Sequence, residues 1–447
     1  MAKGFKIDLN KCVGCHACVV ACSIENGLEP GESWRSVHTY NRGEVSDIPH
    51  FHLSLSCNHC SDAPCIKQCP AKAISRNSDT GIIEIDELKC VGCKFCTWVC
   101  PYDAPKYKEQ AGVMGKCTMC SHRVSEDLEP ACVSVCPTGA LEFEEIEDQV
   151  INPDIPGFPQ RGLSPALKIK DVDPSRLYPE QYVNPYPDEL LKLYGSSVDD
   201  TSSKISLKKE WVLLVFTLMF TILGGLLSSA VFKGVQLEPL LFGIAGIGGM
   251  ALSSVHLGKK FRSFRSIFNL GSSWLSREIF FYSVFIGSSL LYLFFPDMKA
   301  AGYSAVFFSL ISAYSIDMLY HSTASENPEL FHSSQITLSL LFLIFYLNNF
   351  IFGFTFIAVL KVTLYIKRHI RREARPLKYL FLPFLRILFL ALPVVLIFIP
   401  SPWFPVLSMV FFTLGEIIDR SEFYIELDII TPEKDMEKKF QIALKKK

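Results

Sequence analysis

Several things are scarce in this 447-residue sequence. Charge of one sign is missing: 44 Lys and Arg face 45 Asp and Glu, so no global basic field exists to draw in nucleic acid. Gly and Pro, at 26 each, are too ordinary for a fibrous or disordered chain. Cysteine is absent after Cys136, and no long apolar run occurs before Trp211. The opening MAKGFKIDLNK has no apolar h-region, cleavage site or twin arginine, so no export leader is expected. What is present is therefore sorted by position. All 16 cysteines lie between Cys12 and Cys136, while the positive mean hydropathy of +0.26 comes from the second half. The length admits roughly two to four domains.

A disulfide framework needs an oxidising compartment, and the spacings are too regular for one. The cysteines form four groups of four: Cys12, Cys15, Cys18, Cys22; Cys57, Cys60, Cys65, Cys69; Cys90, Cys93, Cys96, Cys100; and Cys117, Cys120, Cys132, Cys136. The first and third read C-x2-C-x2-C-x3-C, and the last three end in Cys-Pro, at Pro70, Pro101 and Pro137. A cubane needs three thiolates converging from one tight loop, with the fourth Cys serving the other cluster of a pair. Structural zinc also uses C-x2-C, but as pairs of pairs without the third Cys and trailing Cys-Pro. Sixteen thiolates at four per cubane give four 4Fe-4S clusters.

Groups two and three are separated only by residues 70–89, where GIIEID predicts a short strand after the Asp79-Thr80-Gly81 turn. That is the layout of a compact two-cluster ferredoxin. Cross-ligation joins Cys57, Cys60 and Cys65 to Cys100, and Cys90, Cys93 and Cys96 to Cys69. The outer groups then pair, Cys12, Cys15 and Cys18 with Cys136, and Cys117, Cys120 and Cys132 with Cys22. His16 and His59 read as exposed loop residues in preference to hydrogen-bonding tuners of cluster potential, and Trp98 reads equally as a shield of a cluster from water or as a packing residue; none is assigned a mechanistic role.

The runs LSCNHCSDAPCIKQCP, CVGCKFCTWVCPYDAPKY and KCTMCSHRVSEDLEPACVSVCP, with SWRSV at residues 33–37, closely resemble the iron-sulfur electron-transfer subunit of the dimethyl sulfoxide reductase family. The resemblance covers residues 1–147 and implies the same nested ligation. In that family a non-Cys residue at the second position of group three gives a 3Fe-4S cluster; Cys93 stands there, so four cubanes are expected. Ser23 departs from the Cys-Pro pattern of the other groups, without changing the ligand count.

Residues 148–209 hold eight prolines, from Pro153 to Pro187. They predict an extended connector with no long helix or central strand, either wrapped over a partner or the cluster domain, or solvated. A bilayer span needs about 20 apolar residues. Candidate spans are 211–232, 237–257, 279–296, 301–320, 333–347, 349–367, 377–399 and 403–419. The fifth and sixth divide at Asn348-Asn349, and seven spans is the alternative. Lys259, Lys260, Arg262, Arg265 and Arg277 follow span two, and Lys367, Arg368, Arg371, Arg372, Arg375 and Lys378 follow span six; the other side carries only Lys233 and Lys299. The positive-inside rule places the N-terminal domain and the C-terminus in the cytoplasm.

HLGKKFRSFRSIFNLGSSWLSREI, from His256, and LGEIIDRSEFY, from Leu414, resemble signatures of the dimethyl sulfoxide reductase membrane anchor, an eight-helix quinol-oxidising subunit. In that family anchor and cluster proteins are usually separate chains, so the resemblance implies a fusion; it also admits a periplasmic cluster face. Quinol oxidation needs proton acceptors near a helix end. His256 closes span two and Glu278 opens span three on one side, and the resemblance adds Arg262 between them. Asp317, Glu416 and Arg420 read as structural. Haem b is not expected, since only His256 is placed as an axial ligand would be.

The fold class expected is an α+β ferredoxin-like domain of nested two-cluster repeats (1–147), the connector (148–209), an all-α transmembrane quinol-binding bundle of about eight helices (210–420) and a charged C-terminal tail (421–447). The expected function is electron transfer and anchoring in the cell membrane of a bacterium or archaeon. Menaquinol or another quinol would be oxidised, with electrons passing to a separate molybdopterin-containing catalytic subunit that reduces a terminal acceptor. No substrate-reducing site of its own is expected. The alternatives are reverse flow from formate or a sulfur compound into quinone, and a membrane-tethered ferredoxin scaffold.

Overall fold

The computed structural model describes residues 2–29, 32–41, 48–147, 150–173, 205, 207–325, 331–370, 381–399, 403–427 and 429–445. The later part of the connector, with Pro174, Pro179, Pro185 and Pro187, and Arg371, Arg372, Arg375 and Lys378 of the second basic loop lie outside the described residues. The chain divides into two units, Met1–Lys204 with Ile429–Lys447, and Ile205–Asp428.

The first unit is built on a three-stranded sheet of order β8-β1-β9 and three two-stranded hairpins. β1 (Ala2–Asp8) runs antiparallel to β8 (Leu141–Ile146), with Phe5 opposite Phe143, and parallel to β9 (Leu167–Lys170), with Ile7 opposite Ile169. Alternation sets the inward face: Phe5, Ile7, Leu141, Leu167 and Ile169 are buried, while Lys168 and Lys170 point to solvent. Gly4 permits the close approach of β9, since a Cβ there would lie 2.3 Å from the Ala166 carbonyl oxygen. The hairpins pair β2 (Ser36–Tyr40) with β3 (Phe51–Leu55), β4 (Ile74–Arg76) with β5 (Ile83–Ile85), and β6 (Lys106–Lys108) with β7 (Val113–Gly115). β5 falls within the GIIEID run, after a turn whose Gly81 has φ of +71°. Five short helices follow or lie between cysteines: α1 (Ala17–Glu25), α2 (Pro64–Lys67), α3 (Phe95–Trp98), α4 (Ser121–Val124) and α5 (Ala131–Ser134).

Residues 150–173 are packed onto this unit. Ile155 and Phe158 are buried, and the Phe158 ring stacks on Tyr102 at 5.1 Å. The Asn152 side-chain amide donates to the Leu167 carbonyl (2.8 Å) and its carbonyl accepts from Ile169 N–H (2.7 Å), fixing the chain before β9. The four residues of β9 fit between Pro165 and Pro174, and as an edge strand they need neighbours on one side only.

The second unit contains eight α-helices among the described residues: α6 (Leu207–Lys233), α7 (Pro239–Ser253), α8 (Trp274–Phe294), α9 (Lys299–His321), α10 (Ile336–Leu347), α11 (Ile351–Ile370), α12 (Phe381–Leu396) and α13 (Phe404–Glu426). Three stretches, Glu210–Lys233, Trp274–Phe294 and Lys299–His321, are long and apolar enough to cross a bilayer. α7, α10 and α12 are apolar but shorter, and α10, with 12 residues, spans only about 18 Å at 1.5 Å per residue. Asn349, at φ +58°, breaks the apolar run between α10 and α11. Small residues let the helices approach: a Cβ on Gly246 would lie 2.4 Å from the Ile286 side chain, and Gly246 offers its carbonyl to the Tyr282 hydroxyl at 2.8 Å.

After α13 the chain re-enters the first unit as α14 (Pro432–Lys445). Read in sequence as part of a charged tail, this segment is an amphipathic helix with Pro432, Met436 and Phe440 buried at i, i+4 and i+8. Phe440 meets Tyr40 edge-on at 5.9 Å. Asp435 accepts the Gly157 N–H at 2.8 Å, and Lys439 pairs with Asp154 at 2.8 Å.

Candidate functional site

The sixteen cysteines are all free thiols, gathered by left-handed backbone in the C-x-x-C loops. Gly14 and Gly92 have φ of +66° and +69°, and His16 and Lys94, each just after the second Cys of its loop, have +59° and +61°. The loops at residues 12–16 and 90–94 therefore repeat one geometry. In the other two loops His59 (+42°), Met119 (+54°) and Cys120 (+48°) make the corresponding turn without glycine.

Three cavities collect one set of thiols each. The first is lined by Cys12, Cys15, Cys18 and Cys136. The second has Cys57, Cys60, Cys65 and Cys100. The third has Cys69, Cys90, Cys93 and Cys96. The remaining thiols act on one another electrostatically, Cys117 and Cys132 on Cys22, and Cys117 on Cys120.

The donor chemistry fits iron-sulfur clusters. Burial pushes the Cys65 and Cys93 thiols up to about 12, so a bound cation is needed to hold them as thiolates. Backbone N–H groups already point at sulfur, from Ala73 to Cys69 and from Met119 to Cys117, both at 3.3 Å. At Cys136 burial raises the thiol, but hydrogen bonds from Leu141, Ala140 and Thr138 outweigh it and hold the group below its ordinary value.

Residues between the ligands divide. His16 is exposed. His59, read in sequence as a loop residue, is buried and accepts the Ile83 N–H on Nδ1 at 2.9 Å; burial, then Lys116 and Arg76, hold it well below the usual imidazole range. Trp98 is buried and meets Phe95 edge-on at 5.6 Å.

In the second unit His256 ends a 3-10 turn (Ser254–His256) that continues α7, and Arg262 lies in a second one (Lys260–Ile267). The second turn packs on the first and on α8. Glu278 is buried in the second turn of α8, 8% exposed, and together with Glu210 of α6 it acts electrostatically on Tyr320 and Tyr424. Those two hydroxyls hydrogen-bond each other, joining α9 to α13. Asp317 accepts the Ile336 and Thr337 N–H groups at 2.8 and 3.0 Å, capping α10 from outside.

A buried ionic network joins α11, α12 and α13. Glu416 receives Lys361 at 3.0 Å, Arg386 at 2.8 Å and Arg420 at 3.5 Å, while Asp419 receives Arg386 at 3.0 Å and Arg368 at 2.9 Å. Arg420 also donates to Thr217 of α6 at 2.7 Å, and Arg368 to Glu426. The Glu416–Arg420 pair was legible one turn apart; Lys361 and Arg386 were not singled out, although each interrupts an apolar run (IAVLKVTL, FLPFLRILF), the available signal.

A ferredoxin-like domain with four sets of thiols, on a chain continuing into a bundle of apolar helices, defines a membrane-associated iron-sulfur electron-transfer protein. The family model of the 4Fe-4S dicluster domain matches residues 48–146, and that of the DMSO reductase anchor subunit (DmsC) matches residues 206–401. The probable anaerobic dimethyl sulfoxide reductase chain YnfG of Escherichia coli (strain K12) is 42% identical over 153 residues, 32% of this chain and 74% of that protein. A putative dimethyl sulfoxide reductase iron-sulfur subunit of Halobacterium salinarum is 33% identical over 240 residues, 46% of this chain and 90% of that one. A sulfite dehydrogenase subunit of Allochromatium vinosum is 37% identical over 163 residues, 32% of this chain and 68% of that protein. The chain belongs to the dimethyl sulfoxide reductase family, as an iron-sulfur electron-transfer subunit fused to a membrane anchor.

Proposed function

We propose that the chain oxidises quinol at the bundle end carrying His256, Arg262 and Glu278, and that the electrons leave through four 4Fe-4S clusters to a separate molybdopterin-containing subunit that reduces a terminal acceptor. The observation that carries this is the pairing, on one chain, of four four-thiol sets with a buried carboxylate at a helix start. The clusters would be held by Cys12, Cys15, Cys18 and Cys136; by Cys22, Cys117, Cys120 and Cys132; by Cys57, Cys60, Cys65 and Cys100; and by Cys69, Cys90, Cys93 and Cys96. Bound there, they supply one-electron carriers.

Oxidising one quinol releases two protons and two electrons. Glu278 accepts one hydroxyl proton as a general base and His256 the other. Arg262 supplies a fixed positive charge in the intervening turn. The bundle is proposed to cross the membrane eight times, and the return of the chain to its first unit fits an even number of crossings. The excess of Lys and Arg after α7 and α11 supports a cytoplasmic over a periplasmic side for the first unit.

His256→Ala and Glu278→Gln variants test the site. Each is expected to keep the iron content of the parent while losing most quinol-dependent cluster reduction, read by EPR after anaerobic mixing. Unchanged reduction in both would remove these residues from the site. The likeness to a sulfite dehydrogenase subunit favours one second reading, in which electrons run from a sulfur compound into quinone through the same groups.

A further inference from the structure

Two cations stand apart in the cysteine-bearing unit. Among its described residues only Arg35 and Lys116 are buried Lys or Arg side chains, each 3% exposed, and neither is in a carboxylate ion pair among the described residues. The Arg35 guanidinium donates to the Ser54 and Ser56 hydroxyls, both at 3.0 Å, and lies 4.5 Å from the centre of the Phe5 ring. Ser54 in turn touches the Cys18 sulfur at 3.5 Å. The field of Arg35 falls on Cys132, Cys117, Cys18 and Cys22. Three of these belong to one thiol set and Cys18 to another.

Lys116 repeats the arrangement one joint further on. Its ammonium donates to the Ile83 carbonyl and, at 2.9 Å, to the Cys117 carbonyl. Its charge also acts on Cys57 and Cys65. The set Cys22, Cys117, Cys120 and Cys132 is thus flanked by both cations. The sets containing Cys12 and Cys57 have one each. No buried cation lies against Cys69, Cys93 or Cys96 among the described residues.

An isolated buried charge is costly unless something nearby compensates it, and here the facing groups are the sulfurs. Reducing a cubane adds negative charge, which a fixed cation in a low-dielectric interior favours. We propose that Arg35 and Lys116 are fixed countercharges at two successive joints of the electron path. They set the cluster on Cys22, Cys117, Cys120 and Cys132 as the most readily reduced and the one on Cys69, Cys90, Cys93 and Cys96 as the least. This rests on the reading that the sixteen thiols hold four cubanes.

The test is an EPR-monitored redox titration of the full chain with its clusters, with iron and sulfide counted per chain and signals assigned by single Cys→Ser ligand variants. In Arg35→Met the reduced-to-oxidised ratio of the clusters on Cys18 and Cys22, read at the parent midpoint, is expected to fall about tenfold, which is about 59 mV for one electron. The Cys69 cluster stays put, and Arg35→Lys restores most of the loss. Lys116→Met is expected to move the Cys57 and Cys22 clusters instead. Four intact clusters with parent midpoints in both Met variants would overturn the inference while leaving the cluster reading in place. If a variant fails to assemble, the order in the parent decides: a Cys69 cluster reduced before the Cys22 cluster overturns it. Fewer than four cubanes in the parent would defeat the cluster reading itself, and the inference with it.

Discussion

At the scale of single residues, the cradles depend on backbone that only some side chains permit. Gly14 combines φ of +66° with a Cβ position 2.6 Å from the His52 ring, whereas Gly139, at +60°, has open space around it. Gly14→Ala is therefore expected to lose the cluster held by Cys12, Cys15, Cys18 and Cys136, and Gly139→Ala to keep it; iron per chain separates the two. In the bundle, Lys361→Met leaves Glu416 short of one buried cation. Breaking such a contact costs about 3–5 kcal/mol, so a lower unfolding temperature is expected, and an unchanged one would contradict a clamping role. The cysteines were legible because spacing alone carries their chemistry. Arg35 was not, since one arginine in SWRSV has no pattern until β3 brings Ser54 against it.

At the scale of elements, boundaries followed local rules and pairings did not. The break between α10 and α11 was legible in Asn348-Asn349, where a left-handed residue ends the run. β9 was not, because an alternation only four residues long between prolines is too short a signal and gains strand form only beside β1. α14 was hidden by its charge: its apolar stripe is three residues wide. Deleting residues 429–447 is expected to bare Tyr40 and Gly157 and lower the thermal stability of the cluster domain. Acid should loosen the same contact. The His38 hydrogen bond holds the Glu433 carboxyl below its ordinary value, so its contribution is present above the usual carboxylate range and fades as pH falls through the depressed value. Protease cutting near residues 427–431 that rises toward low pH would bear this out; a flat profile would not. Asp317→Ala removes the cap of α10 and should cost about 0.5–2 kcal/mol, read as a small drop in unfolding temperature.

At the scale of the whole molecule, the division into a thiol-bearing unit and an apolar bundle was open to view, since cysteines end at Cys136 and apolar runs start at Trp211. The return of the C-terminus to the first unit was not, because nothing local in a Lys-rich tail names its partner. Reporter fusions at residue 234 and at the C-terminus should fall on opposite sides of the membrane. The central claim, that quinol electrons enter the clusters of this same chain, is tested most directly by mixing the purified, cluster-loaded protein anaerobically with menaquinol and recording EPR. The account expects reduced-cluster signals in the parent protein that are lost in Glu278→Gln. Clusters that stay oxidised with quinol in the parent, yet are reduced by dithionite, would contradict it.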